Sequence, residues 1–291
     1  MDLKKVKWLY VEPTTRCNAW CSSCVRNNYG YGLSDFKITD LPENSLKETL
    51  EKMPSLETVQ MGGNRGDPCA GKLIDKYLDM IIPMNIHIQI HTNGSLRSTQ
   101  WWENLAQKFT PSHEVWFAID GLEDTHSIYR QGTDWKKIIK NAEAFINAGG
   151  KAVWQFIPFA HNEHQIKDCM ILSTKMGFHR FEFIKNARYP EQSFHYKTGK
   201  PIEIAPWSKH NDSWNRKGEI LDKNTTKVEN STVKTKNCMH LTMKSVYLDA
   251  LGKLHPCCYL PYTNLSDVDI SKTLRDKNFL SRCLAACGSP D

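Results

Sequence analysis

Along the first 186 residues, short apolar runs alternate with longer stretches in which apolar side chains return every three or four positions. The short runs, rich in Val, Ile, Phe and Trp, read as strands at 8–11, 58–61, 86–90, 115–119, 152–157 and 181–184. The stretches between them read as helices at 44–52, 73–82, 99–108, 135–148 and 163–176. Gly149-Gly150 stops the fourth of these, and Gly177 suits a left-handed cap on the last. Strand and helix in alternation predict an α/β fold of βα units on a largely parallel sheet.

Beyond residue 186 the pattern changes. From 187 to 236 there is little periodicity and much Lys, Asn, Thr and Pro, with Trp207 and Trp214 interspersed. This stretch reads as a linker and flap whose tryptophans pack back onto the main body. Then 241–249 and 253–257, around a turn at 250–252, read as a hairpin. The expected organisation is a main domain at 1–186, the linker at 187–236 and a small cysteine-rich unit at 237–291.

Composition narrows the class. Hydrophobic residues at 40% and charged residues at 24% are ordinary for a globular chain. A net charge of +6 permits an anionic substrate but argues against a nucleic-acid partner. No apolar stretch approaches the roughly 20 residues of a membrane span, and the N-terminus lacks a signal-peptide core, so a cytoplasmic protein without a membrane partner is expected. In that compartment the ten cysteines point to metal more than to disulfides.

Three of them, Cys17, Cys21 and Cys24, follow the first strand. Their spacing suits a [4Fe–4S] cluster, with three irons held by thiolates and the fourth left to chelate a small molecule bearing an amine and a carboxylate. Short cysteine gaps also suit structural zinc. Further polar motifs follow the later strands: Met61-Gly-Gly-Asn-Arg-Gly-Asp-Pro68, His91-Thr-Asn-Gly94, and Phe117-Ala-Ile-Asp-Gly121 followed by Thr125-His-Ser-Ile-Tyr-Arg130.

Taken together these motifs resemble the radical S-adenosylmethionine (SAM) superfamily, whose signature is C-x3-C-x2-C in the loop after the first strand. The resemblance implies an open partial (β/α)6 barrel with active residues at the C-terminal strand ends. It implies a cluster on Cys17, Cys21 and Cys24 that passes an electron to bound SAM, so that a 5′-deoxyadenosyl radical abstracts hydrogen from substrate. Gly62, Gly63, Asn64 and Asp67 then stand where the family receives the SAM ammonium, although Asn64 replaces the usual Glu. Thr92 and Asn93 stand beside the ribose or carboxylate. Ala118 replaces a usual hydroxyl, and Asp120 and Arg130 pair with each other or with substrate. Ser23 stands where an aromatic residue is common, and Trp20 is the candidate to cover the cluster instead. Gln155 and Lys185 are candidates to line the substrate cavity. Cys69, next to the SAM loop, is a candidate hydrogen donor to a substrate radical; otherwise it is a small buried packing residue.

The C-terminal unit resembles a shortened SPASM or twitch extension. That likeness implies one auxiliary [4Fe–4S] cluster on Cys238, Cys257, Cys283 and Cys287, with Cys257 preferred to Cys258 because adjacent strand residues point to opposite faces. The reading that results is a radical SAM enzyme acting on a peptide or small polar metabolite by oxidation, cross-linking or epimerisation. A flavodoxin- or ferredoxin-type protein would supply its electrons. The first strand begins almost at residue 1, which counts against a leader-peptide recognition domain. The alternative from another class is a non-catalytic binding module with zinc in both cysteine sets.

Overall fold

The computed structural model describes residues 2–22, 24, 37–184, 193–208 and 243–255. Six strands run parallel in chain order: β1 (Trp8–Val11), β2 (Thr58–Met61), β3 (His87–Thr92), β4 (Glu114–Ala118), β5 (Ala152–Phe156) and β6 (Arg180–Phe183). Between them lie α1 (Glu43–Glu51), α2 (Ile74–Ile81), α3 (Thr99–Lys108), α4 (Glu123–Tyr129), α5 (Trp135–Asn147) and α6 (Ile166–Met176). This is the expected (β/α)6 arrangement, with β1 and β2 at the residues the pattern marks.

The helix after β4 differs from expectation. The polar motif at 123–129 forms α4, too short at seven residues for an apolar period to declare itself. A small antiparallel pair, β7 (Ser193–Phe194) and β8 (Pro201–Ile202), stands apart from the main sheet. Trp207 stacks on Phe183, so this tryptophan does pack back onto the body.

The C-terminal hairpin is present as β9 (Ser245–Leu248) and β10 (Leu254–His255). Its place is on the free edge of the main sheet: β9 runs parallel to β1, with Trp8 opposite Ser245 and Val11 opposite Leu248. Among the described residues the sheet therefore has eight strands, in the order β10-β9-β1-β2-β3-β4-β5-β6.

Strand alternation divides the side chains between two faces. Leu9, Val11, Val59, Met61, Ile88, Ile90, Val115 and Phe117 are buried in the main core against the helices. The helices answer with apolar faces at helical spacing, as in Ile74, Tyr77, Leu78 and Ile81 of α2. Trp102 of α3 packs against Phe117 and Phe145 at the centre of this layer. The opposite face carries Tyr10, Gln60, Gln89, His91, Trp116 and Gln155, which are only partly buried. At α6 the chain turns through Gly177 at φ 84°, the left-handed cap expected there. Among the described residues, no helix is long and apolar enough to cross a membrane.

Candidate functional site

The motifs meet where parallel strands end on one side of the sheet. Cys17, Cys21 and Cys24 pack with Ala19, Ile128, Tyr129, Ile157 and Phe159 in a second apolar cluster, separate from the main core. A different loop reaches each sulfur. Asn93, after β3, directs its amide Nδ2 at Cys17 Sγ at 3.8 Å, and the Ala19 N–H also points there at 3.3 Å. Arg130, after α4, places Nη1 3.9 Å from Cys21 Sγ. The carbonyl of Asn64, after β2, lies 3.9 Å from Cys24 Sγ. Burial pushes the Cys21 thiol up to about 11, with the Arg130 charge working in the opposite direction.

This donor set fits the [4Fe–4S] cluster that the resemblance implies: three soft sulfurs in an apolar lining, two of them facing N–H donors. Among the described residues, no group of three or more His, Cys, Asp or Glu stands ready to hold a metal ion. A cubane asks for a different arrangement, because it places each thiolate on its own iron. Trp20 stacks on Tyr196 and is 37% exposed, at the outer rim of this cluster.

The loop after β2 is fastened from below. Asp67 is buried, and its carboxylate accepts from the Cys69 N–H at 2.9 Å, the Thr92 hydroxyl at 2.8 Å and the Asn93 N–H at 2.7 Å. Asp67, Thr92 and Asn93, expected around SAM, thus come together as one knot, with Asp67 engaged by the protein's own donors. Asn93 continues the network: its amide donates to Asn18 Oδ1 at 2.9 Å, and its Oδ1 accepts from Ser95. Gly66 lies so close to the segment before Cys17 that a Cβ there would sit 1.8 Å from the Thr14 carbonyl oxygen. Gly62 is half-buried and Gly63 exposed in the same loop; a Cβ on Gly62 would meet only His91, at 3.6 Å, whereas one on Gly63 would sit 2.4 Å from the Gly66 carbonyl oxygen.

Asp120 and Arg130 pair with each other. The guanidinium Nε is 2.6 Å from Asp120 Oδ2, and the other carboxylate oxygen accepts from the Ile157 N–H at 2.6 Å. Burial works against the Arg130 charge, but Asp120 outweighs it and holds the guanidinium protonated well above its ordinary range. His126 accepts the Asp120 N–H, and burial pushes it down to about 3, so it is neutral.

Cys69 is 2% exposed and belongs to the main apolar core, where burial pushes its thiol up. It also borders a cleft of about 530 Å³ that reaches Cys17, Asn18, Lys72 and Arg97. Gln155 is 3.1 Å from His91 Nδ1, and His91 stacks on Trp116. Lys185, Cys238, Cys257, Cys258, Cys283 and Cys287 lie outside the described residues.

Three residues of the site carry no motif. Asn18 is an ordinary polar residue between two cysteines, and Glu12 and Tyr247 each read as a single polar position on a strand end. Glu12 is buried and accepts from the N–H groups of Arg65 and Gly66 and from the Tyr247 hydroxyl. The one available signal was a charged residue immediately after an apolar strand and before the cysteines.

A sequence model of the Radical SAM superfamily matches residues 11–170, more than half of the chain. A tungsten-containing aldehyde ferredoxin oxidoreductase cofactor-modifying protein of Pyrococcus furiosus is 28% identical over 130 residues, covering 44% of this chain and 34% of its own length. The chain therefore spans about a third of that relative. Among solved structures, Streptococcus suis SuiB bound to S-adenosylmethionine superposes with a TM-score of 0.61 at 15% identity, covering 95% of this chain and 67% of SuiB. Native anSMEcpe with bound AdoMet and Cp18Cys peptide gives 0.60 at 17% identity, covering 95% of this chain and 82% of the other. At these identities the two structures establish a common fold.

Proposed function

The chain belongs to the radical SAM superfamily, and on that premise we propose that it is an enzyme that cleaves SAM reductively and modifies a peptide or a small polar metabolite. The observation that carries this reading is the convergence of three loops, after β2, β3 and α4, on the sulfurs of Cys17, Cys21 and Cys24. When bound there, a [4Fe–4S] cluster supplies the electron that breaks SAM to a 5′-deoxyadenosyl radical, which takes a hydrogen atom from substrate. The chain's own part is placement. Asp67 holds Thr92 and Asn93, Gly62 leaves room and the Gly62 and Gly63 carbonyls are the acceptors for the SAM ammonium, and Asp120 anchors Arg130 against the cluster site.

The partly buried polar face with Gln60, Gln89, His91 and Gln155 suits a polar substrate held by hydrogen bonds. A peptide gains support from anSMEcpe, a fold neighbour that holds AdoMet together with one. Oxidation, cross-linking and epimerisation are the outcomes in view, with Cys69 the thiol to test as a hydrogen donor. We assign the auxiliary [4Fe–4S] cluster to Cys238, Cys257, Cys283 and Cys287, the electron supply to a flavodoxin- or ferredoxin-type protein, and the site of action to the cytoplasm.

Anaerobic purification followed by iron, sulfide and zinc assays tests the reading. About eight irons per chain with matching sulfide support two cubanes. About two zincs without sulfide would mean a metal-stabilised binding module and no radical chemistry.

A further inference from the structure

A carboxylate is costly to bury unless its oxygens find donors. Glu12, one residue past β1, is 2% exposed and finds three. Its Oε1 accepts the Arg65 N–H at 2.6 Å and the Gly66 N–H at 3.2 Å, while Oε2 accepts the hydroxyl of Tyr247. The first two donors are consecutive backbone groups of the glycine-rich loop after β2. The third comes from β9, more than 200 residues away in sequence.

Both ends of this bridge are firmly held. Backbone bonds run from Gly62 N–H to Val11 O at 3.0 Å, from Glu12 N–H to Leu248 O at 2.9 Å and from Asp67 N–H to Arg16 O at 2.8 Å. Tyr247 is 3% exposed and pairs in register with Tyr10. Its ring lies 5.9 Å from that of His255 on β10, which is 2.8 Å from Asp249 Oδ2. An unbroken series of contacts therefore runs from the C-terminal hairpin through Glu12 into the loop, and through Asp67 to Thr92 and Asn93.

We propose that Glu12 is a positioning residue for SAM, fixing the backbone of residues 62–66 in its binding conformation, and that Tyr247 completes it, so the C-terminal hairpin is a working part of the SAM site. The inference rests on the functional reading above. It adds that SAM affinity depends on a strand lying outside the stretch that matches the superfamily.

The test uses the full chain with its iron–sulfur content restored anaerobically, and measures SAM binding by equilibrium dialysis at matched iron loading for the parent, E12A, E12Q and Y247F. E12A leaves two loop N–H groups without their acceptor, and SAM should bind about tenfold more weakly or worse. In E12Q the amide oxygen still accepts from the loop and the amide N–H donates to the Tyr247 oxygen, so affinity should stay within about threefold of the parent. Y247F should fall between them, with iron content unchanged. Rescue by Gln at equal iron loading separates positioning from a general loss of structure. If E12A fails to hold its iron, Y247F against the parent decides on the same criterion. E12A or Y247F binding SAM like the parent, or E12Q as weak as E12A, overturns the proposal while leaving the functional reading intact. An iron- and sulfide-loaded parent that does not bind SAM overturns both.

Discussion

Removing the Asp120 carboxylate should expose how much of this fold depends on one buried charge pair. Asp120 is fully buried, and its partner Arg130 has only 14% of its side chain exposed. In D120A the guanidinium keeps its charge with no counter-ion, and the Ile157 N–H loses its acceptor. Breaking a buried pair from one side costs about 3–5 kcal/mol, and the orphaned N–H falls largely within that sum because the same cavity can admit water. At about 2–4 °C per kcal/mol for a domain of this size, the apo protein should melt roughly 6–20 °C lower. D120N, which keeps an acceptor for Ile157 but not the charge, should lose less. The double variant D120A/R130M removes both charges and should recover most of the deficit, because an apolar pair of similar volume is tolerated where a lone charge is not. Urea denaturation of the parent, D120A, R130M and the double variant closes the cycle. A D120A cost under about 1 kcal/mol, or a double variant no more stable than D120A, would show that Arg130 reaches water and that the pair does not anchor the loop.

Replacing Cys17, Cys21 and Cys24 together by Ala should abolish SAM cleavage while leaving about four irons on the C-terminal cysteines; loss of all iron would show the two sites to be interdependent. Glu114, bonded by Arg180 and Lys151, is held down at about 2 against an ordinary 4.5, even though burial alone pushes it up. Its folded value is the depressed one, so its contribution is complete above about pH 4.5 and fades as pH falls toward 2. Acid unfolding of E114Q should start from lower stability at pH 6 and show a shallower decline across that window; identical slopes would remove Glu114 from the acid transition. Gly66→Ala forces a methyl to within 1.8 Å of the Thr14 carbonyl oxygen, so the loop must shift; SAM affinity should fall by about tenfold or more, and an unchanged dissociation constant would mean that the loop does not touch SAM. Trp102→Ala empties the centre of the helix layer and should cost about 3–5 kcal/mol in urea denaturation.

Local pattern decided more of this protein than its low identity to known structures suggests. Strands β1 and β2 and helix α3 stand at the residues the pattern marks, because a period of two or of 3.6 is a property of neighbouring side chains and survives without knowledge of their partners. The cysteine spacing and the glycine-rich loop were legible for the same reason: each carries its chemistry within a few residues. What no local pattern could supply was the meeting of distant groups. Asp67 read as a ligand contact, yet its oxygens hold Thr92 and Asn93, 25 and 26 residues on. Cys69 read either as a hydrogen donor near SAM or as a small packing residue, and only the assembled fold shows that it joins the apolar core while bordering the cleft that reaches Cys17. The short helix α4 has too few turns for a period to show. Most of all, the place of β9 beside β1 depends on complementary edges more than 230 residues apart, and only that pairing brings Tyr247 to Glu12. A buried carboxylate can exist only where the assembled fold delivers its donors, so its role follows from tertiary structure and from no stretch of sequence alone.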